Sequence, residues 1–364
     1  TLSASRAALD PRCTRPARAT PPNLSSPKMR VFVTHNPEDL AAYYGRALPE
    51  LRLLTEPDGA PINVVLNPLD RDLTTPELIE AASGCDVIVA HRSTPGEPEL
   101  FAALPCLLAF LRCAVDISTV DVDTASAAGV LVARADKSFV PSTAELALGL
   151  LLDCARTISA STIDYRDGRQ PPQRPGWQLA GQTAGILGYG AIGSYLAGLL
   201  AGIGMRVLVH DPFVTDVGDT AKLAERNQLL TEADVVFPLA QATPETENMV
   251  NADFLAQMKP GATLINVSRG ELLDDDAVFA ALESGQLRAL GLDVGRAADQ
   301  RPAPLLAAHQ RCVATPHLGG LTPQNADAQA MSSVEQISSM IAREVPARSV
   351  NADTAVRLHG HFKK

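Results

Sequence analysis

Short apolar runs alternate with helical patterns along most of the chain. From Met29 the strand-like runs are MRVFVTH, INVVLN, CDVIVAH, LLAFLRCA and GVLVARA. Helix signals lie between them, such as the cap-plus-proline start at Thr75–Pro76. A long helical stretch, STAELALGLLLDCARTI, follows and has apolar residues on more than one face, so we expect it to be buried.

A second alternating set follows the Pro- and Gln-rich connection DGRQPPQRPGWQ. Its strand-like runs are TAGILG, MRVLVHD, DVVFPLA, ATLINVS, LRALGLDV and CVATPH. Helix-length segments separate them, and one of these, DDDAVFAALESG, ends on a glycine stop. The two sets predict an α/β protein with two doubly wound parallel-sheet domains.

Length and composition agree with this organisation. A chain of 364 residues is too long for one ordinary core. The net charge of −10 argues against a nucleic-acid surface. No uninterrupted apolar run reaches the roughly 18 residues of a membrane span. The six cysteines are scattered without a CxxC pair, so we expect no disulfide or metal framework and a reducing, cytoplasmic compartment.

The first 28 residues differ from the rest. They hold five prolines and a single acid, Asp10, and they show no apolar periodicity. The apolar core of a signal peptide is not found there, and the prolines fit poorly with the helix of a transit peptide. We expect residues 1–28 to be a disordered leader before the first strand.

A glycine fingerprint marks a dinucleotide site. Gly188, Gly190 and Gly193 have G-x-G-x-x-G spacing between a predicted strand and a predicted helix. They allow a tight turn, close approach of a pyrophosphate and close helix–strand packing, respectively. Asp211, 23 positions after Gly188, ends the next strand, where a carboxylate accepts bonds from a ribose and repels a 2′-phosphate. The pattern therefore predicts NAD rather than NADP.

Two later strand ends carry candidate chemistry. ATLINVSRG places Arg269 at the carboxyl end of a strand, where open α/β sheets bind ligands. A guanidinium there can hold a carboxylate with two parallel hydrogen bonds. CVATPHLGG places His317 beyond another strand end, and a histidine can exchange the proton that accompanies hydride transfer.

Together these motifs resemble the D-isomer-specific 2-hydroxyacid dehydrogenases, from about Met29 to Val350. The resemblance is densest in GILGYGAIG, ATPETENMVNADFLAQMKPGATLINVSRGELLDDDA, LRALGLDV and ATPHLGG. It implies that Arg269 binds the substrate carboxylate and keto oxygen and that His317 is the general acid/base.

The resemblance also implies a domain layout. A flavodoxin-like catalytic domain would comprise residues 29–133 and 314–350, an inserted Rossmann domain residues 134–313, and a tail residues 351–364. A homodimer joined through the nucleotide domains is implied as well. The expected cofactor site adds Ala191, Ile192, Thr243 and Asp293 to the three glycines and Asp211, with Asp293 as part of the strand-end scaffold.

The family's histidine partner is a Glu five residues after the Asp of LDV, and here that position is Ala298. Asp299 follows directly, and we assign it the orienting role, since a carboxylate beside an imidazole favours the imidazolium. Gln300 could orient the ring without supplying a full charge. A solvated loop acid with no role is the remaining alternative.

The substrate loop departs from the family pattern too. The region RCAVDISTVDVD lacks the glycine-containing turn that offers backbone amides to the substrate carboxylate, and Ile117 and Ser118 align best with those donors. Arg92 and Ser93 stand where family members place substrate-side residues, and Arg92 would either contact a substrate anion or form a surface salt bridge. His35 and His91 are interpreted as ordinary strand-end residues.

The sequence thus predicts an NAD-dependent oxidoreductase that interconverts small 2-oxo acids, such as glyoxylate or hydroxypyruvate, and 2-hydroxy acids. Oxidation of D-3-phosphoglycerate without a regulatory domain is the alternative within the same class. A different class stays open as well, because the family includes corepressors that use the dinucleotide site as a sensor.

Overall fold

The structure, a computed structural model, describes residues 28–297 and 299–363. The predicted leader, except for Lys28, and Ala298 lie outside the described residues. The strands are β1 Arg30–Val33, β2 Asn63–Leu66, β3 Val87–Ala90, β4 Ala109–Arg112, β5 Leu131–Arg134, β6 Thr183–Leu187, β7 Arg206–His210, β8 Lys222–Leu223, β9 Val235–Pro238, β10 Ala262–Asn266, β11 Leu287–Leu292 and β12 Cys312–Ala314. The helices are α1 Pro37–Tyr43, α2 Ala47–Leu53, α3 Thr75–Ala81, α4 Pro98–Ala103, α5 Val122–Ala127, α6 Val140–Arg156, α7 Ile158–Arg166, α8 Ala191–Gly202, α9 Arg226–Glu232, α10 Ala252–Gln257, α11 Asp275–Ser284, α12 Pro304–Ala307, α13 Pro323–Ile341 and α14 Val356–Phe362.

The described chain forms two units. Unit 1 runs to Ser138 and resumes at Pro323, and unit 2 is Phe139–Thr322. The predicted boundary at 313/314 placed residues 314–322 in the other domain. They lie in unit 2 because β12 pairs with β11 and the Thr315 amide donates to Leu292 O at 2.8 Å.

Unit 1 is built on a five-stranded sheet with the order β2-β1-β3-β4-β5, in which every pair is parallel. This is the flavodoxin-like order. Successive side chains of a strand enter two different apolar clusters: Val31 and Val89 lie in one, and Phe32 and Ile88 lie in the other. Both faces are therefore covered, which explains the continuous apolar runs.

Helices of unit 1 differ from the prediction in two places. α3 is capped by Thr74, one residue before the expected Thr75, because Thr74 and Glu77 form a reciprocal capping box. The predicted tail, 351–364, contains a 3₁₀ turn and α14. Leu358 of α14 is fully buried in the same apolar cluster as Val31.

Unit 2 has a seven-stranded sheet with the order β12-β11-β10-β9-β6-β7-β8, and every pair is again parallel. This is the Rossmann order with one further strand, and it confirms the predicted fold class. The order reverses between β6 and β9, the point at which such sheets bind ligands beyond the strand ends.

α6 is largely buried in unit 2, as expected, with Ala144, Ala147 and Leu151 fully covered. No single helix among the described residues is long and apolar enough to cross a membrane. The bent pair α6 and α7, with 68° between its members, passes such a test by length and composition only.

Candidate active site

The turn after β6 is shaped by its three glycines. Gly188 has a φ of +99°, and a Cβ there would lie 2.7 Å from the backbone of Leu239. A Cβ on Gly193 would lie 2.4 Å from Gly188 O, so glycine is needed for α8 to pack this close to the turn. A Cβ on Gly190, by contrast, meets nothing within 4 Å. Gly190 therefore opens onto free space at the start of the helix.

This start of α8 suits an anionic group. Gly190 is the N-cap residue, Ala191 and Ile192 form the first turn, and no side-chain hydrogen bond caps them. The exposed amides and the positive end of the helix dipole attract phosphate. The residues present thus fit the pyrophosphate of a dinucleotide.

Asp211 ties the glycine turn to the end of β7. One carboxylate oxygen accepts from the Tyr189 amide at 2.7 Å, and the other accepts from the Phe213 amide at 2.9 Å. Each oxygen keeps a second lone pair, so the side chain can still accept from ribose hydroxyls. Thr243 lies in the loop after β9, where its amide donates to Thr246 Oγ1 at 2.8 Å.

Arg269 follows β10 in a turn organised by Asn266. The Asn266 side chain is fully buried; its Nδ2 donates to Arg269 O at 2.8 Å, and its Oδ1 accepts from the Ser268 amide at 3.0 Å. The Arg269 guanidinium is exposed and uses one of its nitrogens for Ser268 O, at 2.8 Å. Its remaining N–H groups are available for an anion.

His317 follows β12 in a turn held by Asp293. The carboxylate of Asp293 is 1% exposed; Oδ1 accepts from Thr315 Oγ1 and the Leu318 amide, both at 2.7 Å, and Oδ2 accepts from the Gly319 amide at 2.8 Å. His317 has a φ of 61°, a left-handed conformation that costs about 1–3 kcal/mol outside glycine. The hydrogen bonds that Asp293 accepts from residues before and after His317 hold the turn in that conformation.

A chain of buried hydrogen bonds joins the two loops. The Asp293 amide donates to Asn266 O at 3.0 Å, so the residue that shapes the Arg269 turn is bonded to the residue that shapes the His317 turn. Asp293 was also predicted to belong to the cofactor site. Its carboxylate already accepts the three hydrogen bonds described above, all from donors of unit 2. Its role in binding the cofactor stays a prediction.

No hydrogen bond or ion pair joins the described residues Asp299 and His317. The Asp299 side chain is 56% exposed; Oδ2 lies 3.3 Å from Arg301 Nε, and Oδ1 accepts from the Arg301 amide at 3.1 Å. The alternative Gln300 has a φ of 57°, and its carbonyl accepts from the Gly295 amide at 2.8 Å. Within the described part of unit 2, the His317 ring has no hydrogen-bond or ion-pair partner. The orienting role of Asp299 stays a prediction.

In unit 1 the loops at the carboxyl edge of the sheet are tied by Arg112. This guanidinium is buried and donates to His91 O at 3.0 Å and to Thr119 Oγ1 at 2.6 Å, and also to Thr94 O. Of the two predicted amide donors, Ser118 already gives its N–H to Asp116 Oδ1 at 2.8 Å. Ile117, its half-buried neighbour, accepts through its carbonyl from Val120.

A network of side chains occupies the other loops of this edge. Ser93 Oγ donates to Asp72 Oδ2 at 2.7 Å and lies 2.8 Å from His91 Nδ1, while Asp39 Oδ2 lies 3.6 Å from the same nitrogen. Burial lowers the pKa of His91, and it lowers the pKa of the adjacent His35 to about 3. Arg92 is exposed beside this network.

The sequence motifs did not reveal two features, one in each unit. One is the network of Ser93 and Asp72, whose residues are far apart in the chain. The other is Arg296, which has several acceptors in the segment after Arg269. The signal for Arg296 was weak: it was a charge in a loop directly beyond a strand end.

Comparisons with known proteins agree with this geometry. Residues 148–319 match the family model described as the D-isomer specific 2-hydroxyacid dehydrogenase NAD binding domain. A hydroxypyruvate reductase of Thermotoga maritima is 30% identical over 72% of this chain and 85% of its own length. A D-3-phosphoglycerate dehydrogenase of Mycobacterium leprae is 34% identical over 77% of this chain and 54% of its own length.

A solved structure from Polaromonas sp., named for the same family, has a TM-score of 0.77 and 26% identity, and the match covers 89% of this chain and 100% of the other. The chain spans about half the length of the phosphoglycerate dehydrogenases that it matches. The reductase relative, in contrast, is matched over most of its length. The chain therefore belongs to the D-isomer specific 2-hydroxyacid dehydrogenase family, and unit 2 contains its NAD-binding domain.

Proposed function

We propose that the protein is an NAD(H)-dependent reductase of a small 2-oxo acid, and the dehydrogenase of the corresponding D-2-hydroxy acid. The observation that supports this best is the pair of loops after β10 and β12. They present a guanidinium and an imidazole without competing side-chain partners in unit 2, on a frame of buried hydrogen bonds through Asn266 and Asp293.

The glycine turn and the first turn of α8 would hold the pyrophosphate, and Asp211 would accept from the adenosine ribose. When bound, NADH supplies the hydride for the carbonyl carbon. The carboxylate of Asp211 disfavours the 2′-phosphate of NADPH by charge repulsion. We therefore expect NADH to be the better cofactor.

Arg269 binds the substrate. Its planar fork can donate two parallel hydrogen bonds to the carboxylate, and it remains charged throughout the reaction. Donors placed near the keto oxygen also stabilise the negative charge that develops there.

His317 moves the proton. As imidazolium it donates to the keto oxygen during reduction, and as neutral imidazole it accepts the hydroxyl proton during oxidation. A positioned general acid of this kind contributes about 10²–10⁴-fold to the rate. Asp293 holds the turn that carries the ring and takes no part in the proton transfer.

Glyoxylate and hydroxypyruvate are the proposed substrates, and the name of the Thermotoga maritima relative supports the second of them. D-3-Phosphoglycerate is the second candidate, supported by the names of several relatives that are 30–34% identical. The resemblance also supports a homodimer joined through unit 2, and the scattered cysteines support a cytoplasmic compartment. Light scattering in solution would test the dimer.

A panel of 2-oxo acids tests the function. We expect NADH oxidation with glyoxylate or hydroxypyruvate, and a much lower rate with NADPH. Faster turnover of 3-phosphohydroxypyruvate would favour the second candidate. Negligible turnover of every acid would overturn the proposal and favour a sensor that binds the dinucleotide without reaction.

A further inference from the structure

Arg296 donates to an unusual number of acceptors for a loop residue. It lies four positions beyond the end of β11, and its Nη2 donates to Leu273 O at 2.6 Å and to Glu271 O at 2.8 Å. Nε reaches Leu273 O at 3.2 Å as well. The same guanidinium pairs with Glu247 Oε1 at 2.5 Å and bonds Asn248 Oδ1. One side chain thus joins three separate loops of unit 2.

The segment held in this way directly follows Arg269. It begins with the 3₁₀ turn Gly270–Leu272, which connects Arg269 to the residues that lead into α11. On one side the backbone of 248–250 supports it: the Asn248 amide donates to Glu271 O and the Val250 amide to Leu272 O, both at 2.9 Å. Arg296 supports it from the loop after β11.

Backbone packing brings these two loops together. A Cβ on Gly270 would lie 2.1 Å from the carbonyl carbon of Gly295. The residue after Arg269 is therefore in direct backbone contact with the residue before Arg296. A displacement of the Arg296 loop would be transmitted to the Arg269 turn without any intervening side chain.

The charges around Arg296 keep it in place. Glu247 pairs with it, and the charge of Arg296 favours the ionised carboxylate of Asp275, whose pKa burial raises. The side chain of Arg296 is 34% exposed, so part of the guanidinium is shielded from water. A buried or half-buried arginine with two carbonyl acceptors is more strongly fixed than an exposed ion pair.

We propose that Arg296 is a positioning residue for Arg269. It fixes the carbonyls of Glu271 and Leu273, so that the Arg269 guanidinium meets the carboxylate of the 2-oxo acid in one geometry. The inference rests on the proposed function, which gives Arg269 its carboxylate. Lysine could replace the charge of Arg296 but not its planar fork, which reaches several acceptors at once.

The test compares Arg296→Met and Arg296→Lys with Arg206→Met. Arg206 is a matched control because it is also an arginine of unit 2 that pairs with a glutamate, Glu232, at 2.5 Å, but it lies at the start of β7. The first measurement is amide hydrogen exchange of residues 270–274 in the cofactor-free protein. The second is the KM for hydroxypyruvate, with kcat and the Kd for NADH.

For Arg296→Met we expect faster exchange in residues 270–274, a kcat/KM lower by up to about 10²-fold, mainly through KM, and a Kd for NADH within about twofold of wild type. Arg296→Lys should fall between wild type and Arg296→Met, and it serves as the test variant if the Met variant does not fold. Arg206→Met should match wild type in all three quantities.

Unchanged exchange in residues 270–274, or the same kcat/KM in Arg296→Met and Arg206→Met, would overturn the proposal. A failure of the proposed function gives a different result, because the wild type itself would turn over no 2-oxo acid. In that case the exchange measurement still decides whether Arg296 fixes the segment.

Discussion

The carboxyl edges of the two sheets use their polar residues differently. In unit 2 the side chains of the buried Asn266 and Asp293 form hydrogen bonds to the backbone of two loops. Within the described part of that unit, Arg269 and His317 have no side-chain partners. In unit 1 the polar residues bond to one another: Ser93 joins Asp72 and His91, and the Ser118 amide is taken by Asp116.

This difference distinguishes two roles of polar side chains at strand ends: fixing a loop and acting on a ligand. A buried polar side chain with all of its hydrogen bonds satisfied fixes a loop, since leaving those bonds unmade costs free energy. A side chain with unused donors or acceptors can act on a ligand. Unit 2 assigns these roles to different residues, whereas in unit 1 the buried Arg112 performs the first of them. A position at a strand end is therefore not sufficient evidence of a reactive role.

The largest expected effect comes from the reactive guanidinium. Arg269→Gln should lower kcat/KM by about 10²–10³-fold, because the donors to the substrate carboxylate and oxyanion are lost. Steady-state kinetics with hydroxypyruvate measures this loss.

Arg92→Gln is the matched variant in unit 1, and it distinguishes the two interpretations of Arg92. A raised KM for hydroxypyruvate would mean that Arg92 contacts a substrate anion, and an unchanged KM would mean that it is a surface residue without that role.

A smaller effect is expected from the residue that fixes the His317 loop. Asp293→Asn should lower the free energy of unfolding by about 1–3 kcal/mol, since an amide NH₂ would face a backbone N–H that now finds an acceptor. Chemical denaturation measures the difference. Asp274→Asn is the control, because Asp274 caps α11 and asparagine caps helices equally well. Equal losses in the two variants would contradict the role of Asp293.

The buried histidines of unit 1 predict a pH effect of similar size. The pKa of His35 falls from 6.5 in the unfolded chain to about 3 in the fold, because burial penalises the imidazolium. Below about pH 6.5 the unfolded chain therefore binds a proton that the folded chain does not. Stability should fall as the pH decreases from 6.5, by about 2 kcal/mol at pH 5 from this group.

His35→Phe should remove that part of the pH dependence, and the exposed His361→Phe should keep it. Urea denaturation between pH 7.5 and pH 5 gives the slopes. Parallel slopes for wild type and His35→Phe would show that folding does not lower the pKa of His35.

The smallest expected effect concerns the loop acid. If Asp299 has the predicted orienting role, Asp299→Asn should shift the pH–rate profile for reduction to lower pH, because a carboxylate that partners an imidazole favours its protonated form. The pairing of Asp299 with Arg301 makes the shift small. The assignment fails if the profile of the variant coincides with that of wild type.

Much of the fold could be predicted from the apolar pattern. Strands covered on both faces give continuous apolar runs, and the turn residues between them mark the crossovers. The glycine turn was also predictable, because Gly188 and Gly193 have no room for a side chain and their spacing is therefore visible in the sequence. α14 was not, because a short helix is recognised mainly by the core that it completes.

The loop after β11 could not be predicted residue by residue. Its conformation depends on Gln300, which has a positive φ, and on the backbone contact between Gly270 and Gly295. Both follow from tertiary packing rather than from local sequence. The same packing gives Arg296 its acceptors, although no motif assigned it a role.

The most direct test uses the two histidines that follow strands in the two units. The rate of NADH oxidation in a single turnover with hydroxypyruvate would be measured for His317→Gln and for His91→Gln. We predict a rate lower by about 10²–10⁴-fold for His317→Gln, because the general acid is lost, and a change of less than about tenfold for His91→Gln. A wild-type rate in His317→Gln would contradict the assignment of the proton transfer to unit 2.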